Sequence, residues 1–370
     1  MNSSTLFGIS TVTYILAMML YITYIAFRNS PLGMTATAVT VTGFAAQTAA
    51  ILIRWSEAYS QWVIFSPEST FIISILRSAP LKNLYESLVF FVWCLMLGYL
   101  IIEFIYKNRS FGAFATPVAG VALAFINLSG ISSEIEPLMP ALQSNWLLVH
   151  VMMSFIAYAT FALSFSTGLM YLILKTEKRN EPSYIFWTTT LGIFISIMLF
   201  MGIDFFTFKV MVRPDQFIKS YLFKTSLLNQ SLSIKLISWF IVSAIIAMVW
   251  WSGLLLKRII EKFSIPADIL DEITYKSIAI GFPIFTLGGL IFGAIWANQA
   301  WGTYWSWDPK ETWSLITWFV YAFYLHSRTI RGWRGKKVAI VAVVGFGVVM
   351  FTYLGVNLLL SGLHSYGEMR

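Results

Sequence analysis

Three histidines, His150, His326 and His364, are the side chains in this chain best suited to holding a transition metal. Residues 296–313 pack five tryptophans and one tyrosine (Trp296, Trp301, Tyr304, Trp305, Trp307 and Trp313) into eighteen positions, interleaved with Asn298, Gln299, Asp308, Lys310 and Glu311. That stretch is too polar to cross a bilayer and too aromatic for an ordinary loop. Adjacent indole faces suit a large flat apolar ligand, and two imidazoles on opposite sides of such a ring are what six-coordinate haem iron needs. A plainer reading stands beside this one: tryptophans gather at membrane surfaces for their amphipathic rings alone, and interfacial histidines are met by headgroups or backbone. The single cysteine, Cys94, lies inside a hydrophobic run. One thiol makes neither an intrachain disulfide nor a CxxC couple, and Cys94 reads as a small buried apolar residue.

The elements that must position these residues are membrane helices. The 370 residues are 58% hydrophobic and 11% charged, with a mean hydropathy of +0.74; soluble domains carry roughly 25% charged residues. The net charge of +8 therefore concerns orientation in a bilayer and not nucleic acid. Ten apolar runs have the length to span lipid: residues 5–27, 35–53, 84–106, 111–128, 146–174, 184–206, 236–256, 277–296, 313–328 and 338–360. Each must be helical, because lipid offers backbone groups no partner. The expected fold is an all-α polytopic transmembrane bundle of about ten spans, forming one integral membrane domain over residues 1–370. The first run follows no positive charge and is too long for a signal-peptide core, so it reads as the first span.

With both termini outside, the inner loops hold fifteen of the twenty-five Lys and Arg residues, among them Arg328, Arg331, Arg334, Lys336 and Lys337. One outer loop, 207–235, disagrees, with Lys209, Arg213, Lys219, Lys224 and Lys235. This topology puts the tryptophan-rich stretch outside, between spans eight and nine. His150 then sits at the outer edge of span five and His364 just past span ten, on the same face. His326 lies 13 residues into span nine from Trp313, about 20 Å down the helix. No other histidine reaches that depth, so a second ligand there would come from a partner subunit. Two helix starts are legible. Asp308-Pro309-Lys310-Glu311 has an N-cap residue, a proline at the first helical position and a glutamate at the third, and Asn83-Leu84-Tyr85-Glu86 is similar. These give Asp308, Glu311, Asn83 and Glu86 a structural role beside any ligand-facing one. Arg54, Arg77 and Lys310 are outer cations suited to carboxylates or to lipid headgroups. No span carries an acidic residue near its middle, which weighs against a proton- or sodium-coupled transporter.

The run Trp301-Gly-Thr-Tyr-Trp305-Ser-Trp307-Asp308-Pro-Lys-Glu-Thr-Trp313-Ser-Leu resembles the WWD signature of haem-handling membrane proteins, and is most similar to the CcsA (ResC) family of system II cytochrome c maturation. The likeness continues through Thr317 to His326, Gly332 to Gly335, Phe351 to Ser365, Pro80 to Ser87 and Gly281 to Gly288. It is densest over 268–365, looser over 80–174 and missing over 175–265, which reads as an insertion with two extra spans. The resemblance implies an external WWD haem platform formed by Trp296, Trp301, Tyr304, Trp305, Trp307, Asp308 and Trp313. It implies haem b as substrate and ligand, its iron held by His150 and His364, with His326 binding haem during passage across the bilayer. It also implies a CcsB (ResB) membrane subunit as partner, apocytochrome c with CxxCH as acceptor, and a role as subunit of a cytochrome c haem lyase. Haem delivery without synthesis is the alternative. The expected location is a bacterial plasma membrane, or a thylakoid membrane if plastid-encoded, with the WWD segment on the external side.

Overall fold

The computed structural model describes residues 2–65, 70–81, 83–128, 144–205, 232–262, 265–356 and 360, and most of these form helices. In chain order they are α1 (Ser3–Phe27), α2 (Ser30–Phe65), α3 (Phe71–Arg77), α4 (Leu84–Tyr106), α5 (Gly112–Leu128), α6 (Asn145–Lys175), α7 (Pro182–Phe205), α8 (Leu232–Glu261), α9 (Ala267–Phe285), α10 (Gly293–Trp301), α11 (Pro309–Thr329) and α12 (Lys336–Met350). A π-helical stretch, Thr286–Phe292, joins α9 to α10 in one rod of 35 residues, and a second, Phe351–Gly355, extends α12. Every one of the ten expected spans is met by a helix. Eight helices are long and apolar enough to cross a membrane. The other two expected spans coincide with α5, which has only 17 residues, and α11, which mixes Lys310, Glu311, Thr312, Ser314 and Arg328 into its apolar positions.

Several bounds differ from the sequence reading. Residues 54–83, expected to lie wholly outside the spans, continue α2 as far as Phe65 and then form α3. The overrun is possible because its charges find partners on other helices. Arg54 Nε donates to Glu86 Oε1 of α4 at 2.8 Å with both side chains buried, and Glu57 accepts from the Ser3 hydroxyl at 2.8 Å. The eighth span likewise begins ten residues early, at Ala267, and runs on past Trp296 to Trp301, so Trp301 too stands on helix and not loop. Helix α8 takes in Lys235, which the sequence had left in the preceding loop; the rest of that basic loop lies outside the described residues.

Helix α6, 31 residues long, is the hub. It packs against α9, α12, α4 and α10 and touches α3, α7 and α8. To one side, α1, α2, α4 and α5 form a second packed group, and α7 pairs with α8 on another flank. Inside lipid there is no hydrophobic gain from helix association, so interhelical hydrogen bonds and close packing hold the bundle. Tyr14 of α1 donates to Gln47 Oε1 at 2.9 Å, and Gln47 Nε2 donates to the Val89 carbonyl of α4 at 3.0 Å. Glu103 collects the hydroxyls of Thr37 at 2.5 Å, Tyr21 at 3.0 Å and Tyr99. One residue thus ties three helices at each node.

The two ends of the bundle differ. The tryptophan end gathers the last turns of α2 and α10 with the first turns of α4, α6 and α11. The basic end gathers Arg328 with Asp271 at 2.6 Å, Lys336 with Glu181 at 2.6 Å, and Arg28 on the Lys262 carbonyl at 2.9 Å. Glu181 lies between α6 and α7 and reaches the first residue of α12. The hydrogen bond from Lys336, with the backbone N–H groups of Lys178 and Glu177, holds its carboxyl down to about 2 from an ordinary 4.5. A carboxyl lowered by folding stabilises above its unfolded pKa and loses that contribution as pH falls through the folded one. The fall in melting temperature between pH 4.5 and pH 2 is therefore expected to be shallower in Glu181→Gln than in the parent. Equal slopes in a thermal scan across that window would remove this clamp from the account.

Candidate functional site

The tryptophan-rich stretch is a short bridge pinned at both ends. Helix α10 stops at Gly302, whose φ of 78° is a left-handed C-cap conformation that glycine adopts without strain, and its N–H bonds the Asn298 carbonyl. Six residues later Asp308 caps α11: its carboxylate accepts from the Lys310 N–H at 3.0 Å, Pro309 takes the first helical position, and Glu311 returns to the Asp308 N–H at 3.3 Å. The capping box read from sequence is there. Glu311 also takes the Ser306 N–H at 2.7 Å, so one carboxylate holds two turns of the bridge.

Trp307 pays for this geometry. Its φ of 60° is left-handed for a non-glycine residue, a conformation that costs about 1–3 kcal/mol and survives only where the surroundings over-determine it. The buried Asp308 beside it supplies that constraint. The result is an indole displayed outward: Trp307 is 68% and Tyr304 61% exposed. Trp305, half-buried, meets Trp307 edge-on at 5.8 Å and 88°. Below them Trp301 packs edge-on against buried Trp296 at 4.9 Å, and Trp313 leans on Phe351 of the α12 extension at 4.2 Å.

His150, in the second turn of α6, is seated against this cluster. Its ring lies nearly parallel to Trp296, at 6.1 Å and 15°, and its Nδ1 is 2.8 Å from the Gly288 carbonyl. A carbonyl only accepts, so the proton is on Nδ1 and the lone pair on Nε2. That second hydrogen bond is the arrangement that orients an imidazole for metal binding. Gly288 belongs to the π-helical stretch, where the ordinary carbonyl ladder is opened. Two glycines make room. A Cβ at Gly293 would stand 2.9 Å from His150 Nδ1, and one at Gly288 would stand 2.2 Å from the Met153 Cβ. Ser144, the N-cap of α6, donates to Gln299 Oε1 of α10 at 2.7 Å and closes the same junction. Lys310, half-buried in the first turn of α11, has its ammonium pushed down to about 8 by desolvation, against the upward pull of Asp308.

Of the residues expected to form the site, the structure brings together His150, Trp296 and Trp301, and sets Trp305, Trp307, Tyr304 and Asp308 on the bridge that follows. Trp313 joins α11 to α12. His364 lies outside the described residues. His326 is at the opposite end of α11, about 25 Å from Pro309 along the helix axis, and it is exposed. It shares a stripe with Ile316, Phe319, Phe323 and Ile330, all exposed, at alternating spacings of three and four, the register of a helix–helix seam. Sequence reasoning did not single out Gly293 or Ser144, and named Gln299 only as a polar residue of the tryptophan-rich stretch. Gly288 closed a segment quoted for its resemblance, but its contact with His150 had no local signal.

The fold and this end of the bundle define a multi-pass helical membrane protein with an aromatic, histidine-bearing platform. Residues 81–364 match the family described as cytochrome C assembly protein. Over 291 residues, 78% of each chain, the sequence is 39% identical to the cytochrome c biogenesis protein CcsA of Trieres chinensis. It is 39% identical over 290 residues to the CcsA of Gloeobacter violaceus and 40% identical over 292 residues to that of Marchantia polymorpha, again over 78% of each chain. The chain belongs to the CcsA family of cytochrome c biogenesis proteins.

The glycine seat generates a direct prediction. Gly288→Ala drives a methyl into Met153, and overpacking of this kind costs about 1–3 kcal/mol; the melting temperature should drop by several degrees. Gly347→Ala on α12, where a Cβ meets nothing within 4 Å, should leave it unchanged or slightly higher. Equal melting temperatures for the two variants would contradict the close approach of α6 to the π-helical stretch.

Proposed function

We propose that this chain is the haem-handling subunit of a cytochrome c haem lyase of the system II type, presenting haem b on the tryptophan platform. The observation that carries the reading is the seat of His150. Its ring is fixed by the Gly288 carbonyl, backed by Trp296, and left with the lone pair on Nε2. His364 is the second axial ligand in this reading. The exposed Trp307 and Tyr304 with half-buried Trp305 lie against the macrocycle and shield it from water. Lys310 is the nearest cation along the bridge to meet a propionate.

Haem reaches the platform from the inner side, held on the way by His326 and a histidine of a CcsB (ResB) membrane partner. Placement of His326 on an exposed apolar stripe supports a ligand supplied from outside this chain. The platform then faces the external side of the membrane, where apocytochrome c offers the two thiols of its CxxCH motif. Each thiol adds across one vinyl group, its sulfur bonding the inner carbon and its hydrogen passing to the terminal carbon, with no net oxidation. The protein's part is positioning the reactants; the reactivity belongs to the haem.

The test is the visible spectrum of the complex purified with its partner, followed by reaction with a CxxCH peptide. His150→Ala combined with His364→Ala should lose or shift the haem absorption of the platform and abolish covalent attachment. His326→Ala should lower haem loading while leaving the platform spectrum of any remaining haem unshifted. Full and unshifted haem spectra in the double variant would refute the axial assignment, and noncovalent release of haem by the parent complex would make the chain a delivery protein.

A further inference from the structure

The buried face of α11, opposite His326, carries an anomaly that haem handling does not use. Tyr321, Tyr324 and Ser327 follow one another at intervals of three along this face, all fully buried, and among the described residues none of their three hydroxyls makes a full hydrogen bond to protein, Tyr321 having only a longer contact with the Ser164 hydroxyl. Other hydroxyls on α11 bond a carbonyl four residues back: Ser314 that of Lys310 at 2.7 Å, Thr317 that of Trp313 at 2.9 Å and Thr329 that of Leu325 at 2.7 Å. Tyr14, Tyr21 and Tyr99, equally buried, are bonded to Gln47 or Glu103. The three hydroxyls lead away from the basic end, where Arg328 Nη2 donates to Asp271 at 2.6 Å and stacks on Tyr275 at 5.3 Å. At the far end Ser164 of α6 lies beside Tyr321 and donates to the Phe161 carbonyl at 2.7 Å, while the Phe161 ring stacks on Tyr321 at 3.7 Å and 11°.

A buried hydroxyl left without a partner is strongly disfavoured, most of all at membrane depth. Three in two turns of one face call for a ligand that both donates and accepts and that fits between packed helices. Water is that ligand, since buried water typically makes about three hydrogen bonds to groups otherwise unsatisfied. We infer that a file of ordered water occupies the seam that α11 forms with α12, α9 and α6, running from the Arg328–Asp271 pair past Ser327 and Tyr324 to Tyr321, whose ring end lies against Gly345 of α12. The file is about 9 Å long at 1.5 Å per residue and is closed by the Phe161–Tyr321 stack. It is a dead-ended polar vestibule opening toward the basic end, so the helix that displays His326 to its surroundings is hydrated along its back.

The experiment is radiolytic hydroxyl-radical footprinting of the full chain in lipid nanodiscs, in which water held beside a side chain labels it without access to bulk solvent. Tyr14, as buried as Tyr321 and Tyr324 but bonded directly to Gln47, is the internal reference. Several-fold greater labelling of Tyr324 than of Tyr14 is expected; labelling at or below the level of Tyr14 overturns the inference whatever the variants do. Tyr324→Phe and Ser327→Ala give an independent reading. Loss of a group that bridges to water lowers the melting temperature, whereas deleting an orphan hydroxyl from a dry seam leaves it unchanged or raises it. A rise in both variants would count against the file.

Discussion

The hydrogen bond from His150 Nδ1 to the carbonyl of Gly288 fixes the hub of this bundle against the rod that ends in the tryptophan platform. Everything at that end depends on α6 and the π-helical stretch approaching closely enough for it to form. Gly288 and Gly293 permit the approach, Trp296 sets the ring plane, and Ser144 with Gln299 fixes the rotation of one helix about the other. In a dry interior a polar contact of this kind is directional in a way that apolar packing is not. That is why one imidazole can have its tautomer and its plane decided at once.

The bridge between α10 and α11 shows the complementary tactic, in which local strain is held by local chemistry. Trp307 would not keep a left-handed backbone in an unrestrained loop. Here it lies between a glycine C-cap and a capping box, six residues apart, both anchored in long helices. The strain turns an indole outward that would otherwise fold onto its neighbours.

The local features were legible in sequence. Asn83 and Asp308 cap their helices because the signal sits within four residues, and the ten runs that form helices, eight of them long and apolar enough to cross a membrane, follow from hydropathy alone. The family signature was read from the motif itself, and the nearness of His150 to the tryptophans followed from topology. What was not legible depends on partners distant in the chain. Residue Arg54 looks like a span terminator until Glu86 of another helix neutralises it, and then α2 simply continues. The π-helical turn at 286–292 has no composition of its own; it is visible only once α6 is packed against it. Exposure of His326 could have been read from the alternating spacing of its stripe, but only after knowing which face α11 buries.

The rod formed by α9, the π-helical stretch and α10 has 35 residues, about 52 Å at 1.5 Å per residue, where the hydrocarbon of a bilayer is about 30 Å thick. Even strongly inclined, such a rod overshoots the acyl chains, and α2, with 36 residues, does the same beside it. Ten of the residues beyond the apolar run, 267–276, lie at the basic end and five, 297–301, at the tryptophan end, so the aromatic bridge starts about 7 Å past the run, at a distance fixed by helix length and not by loop conformation.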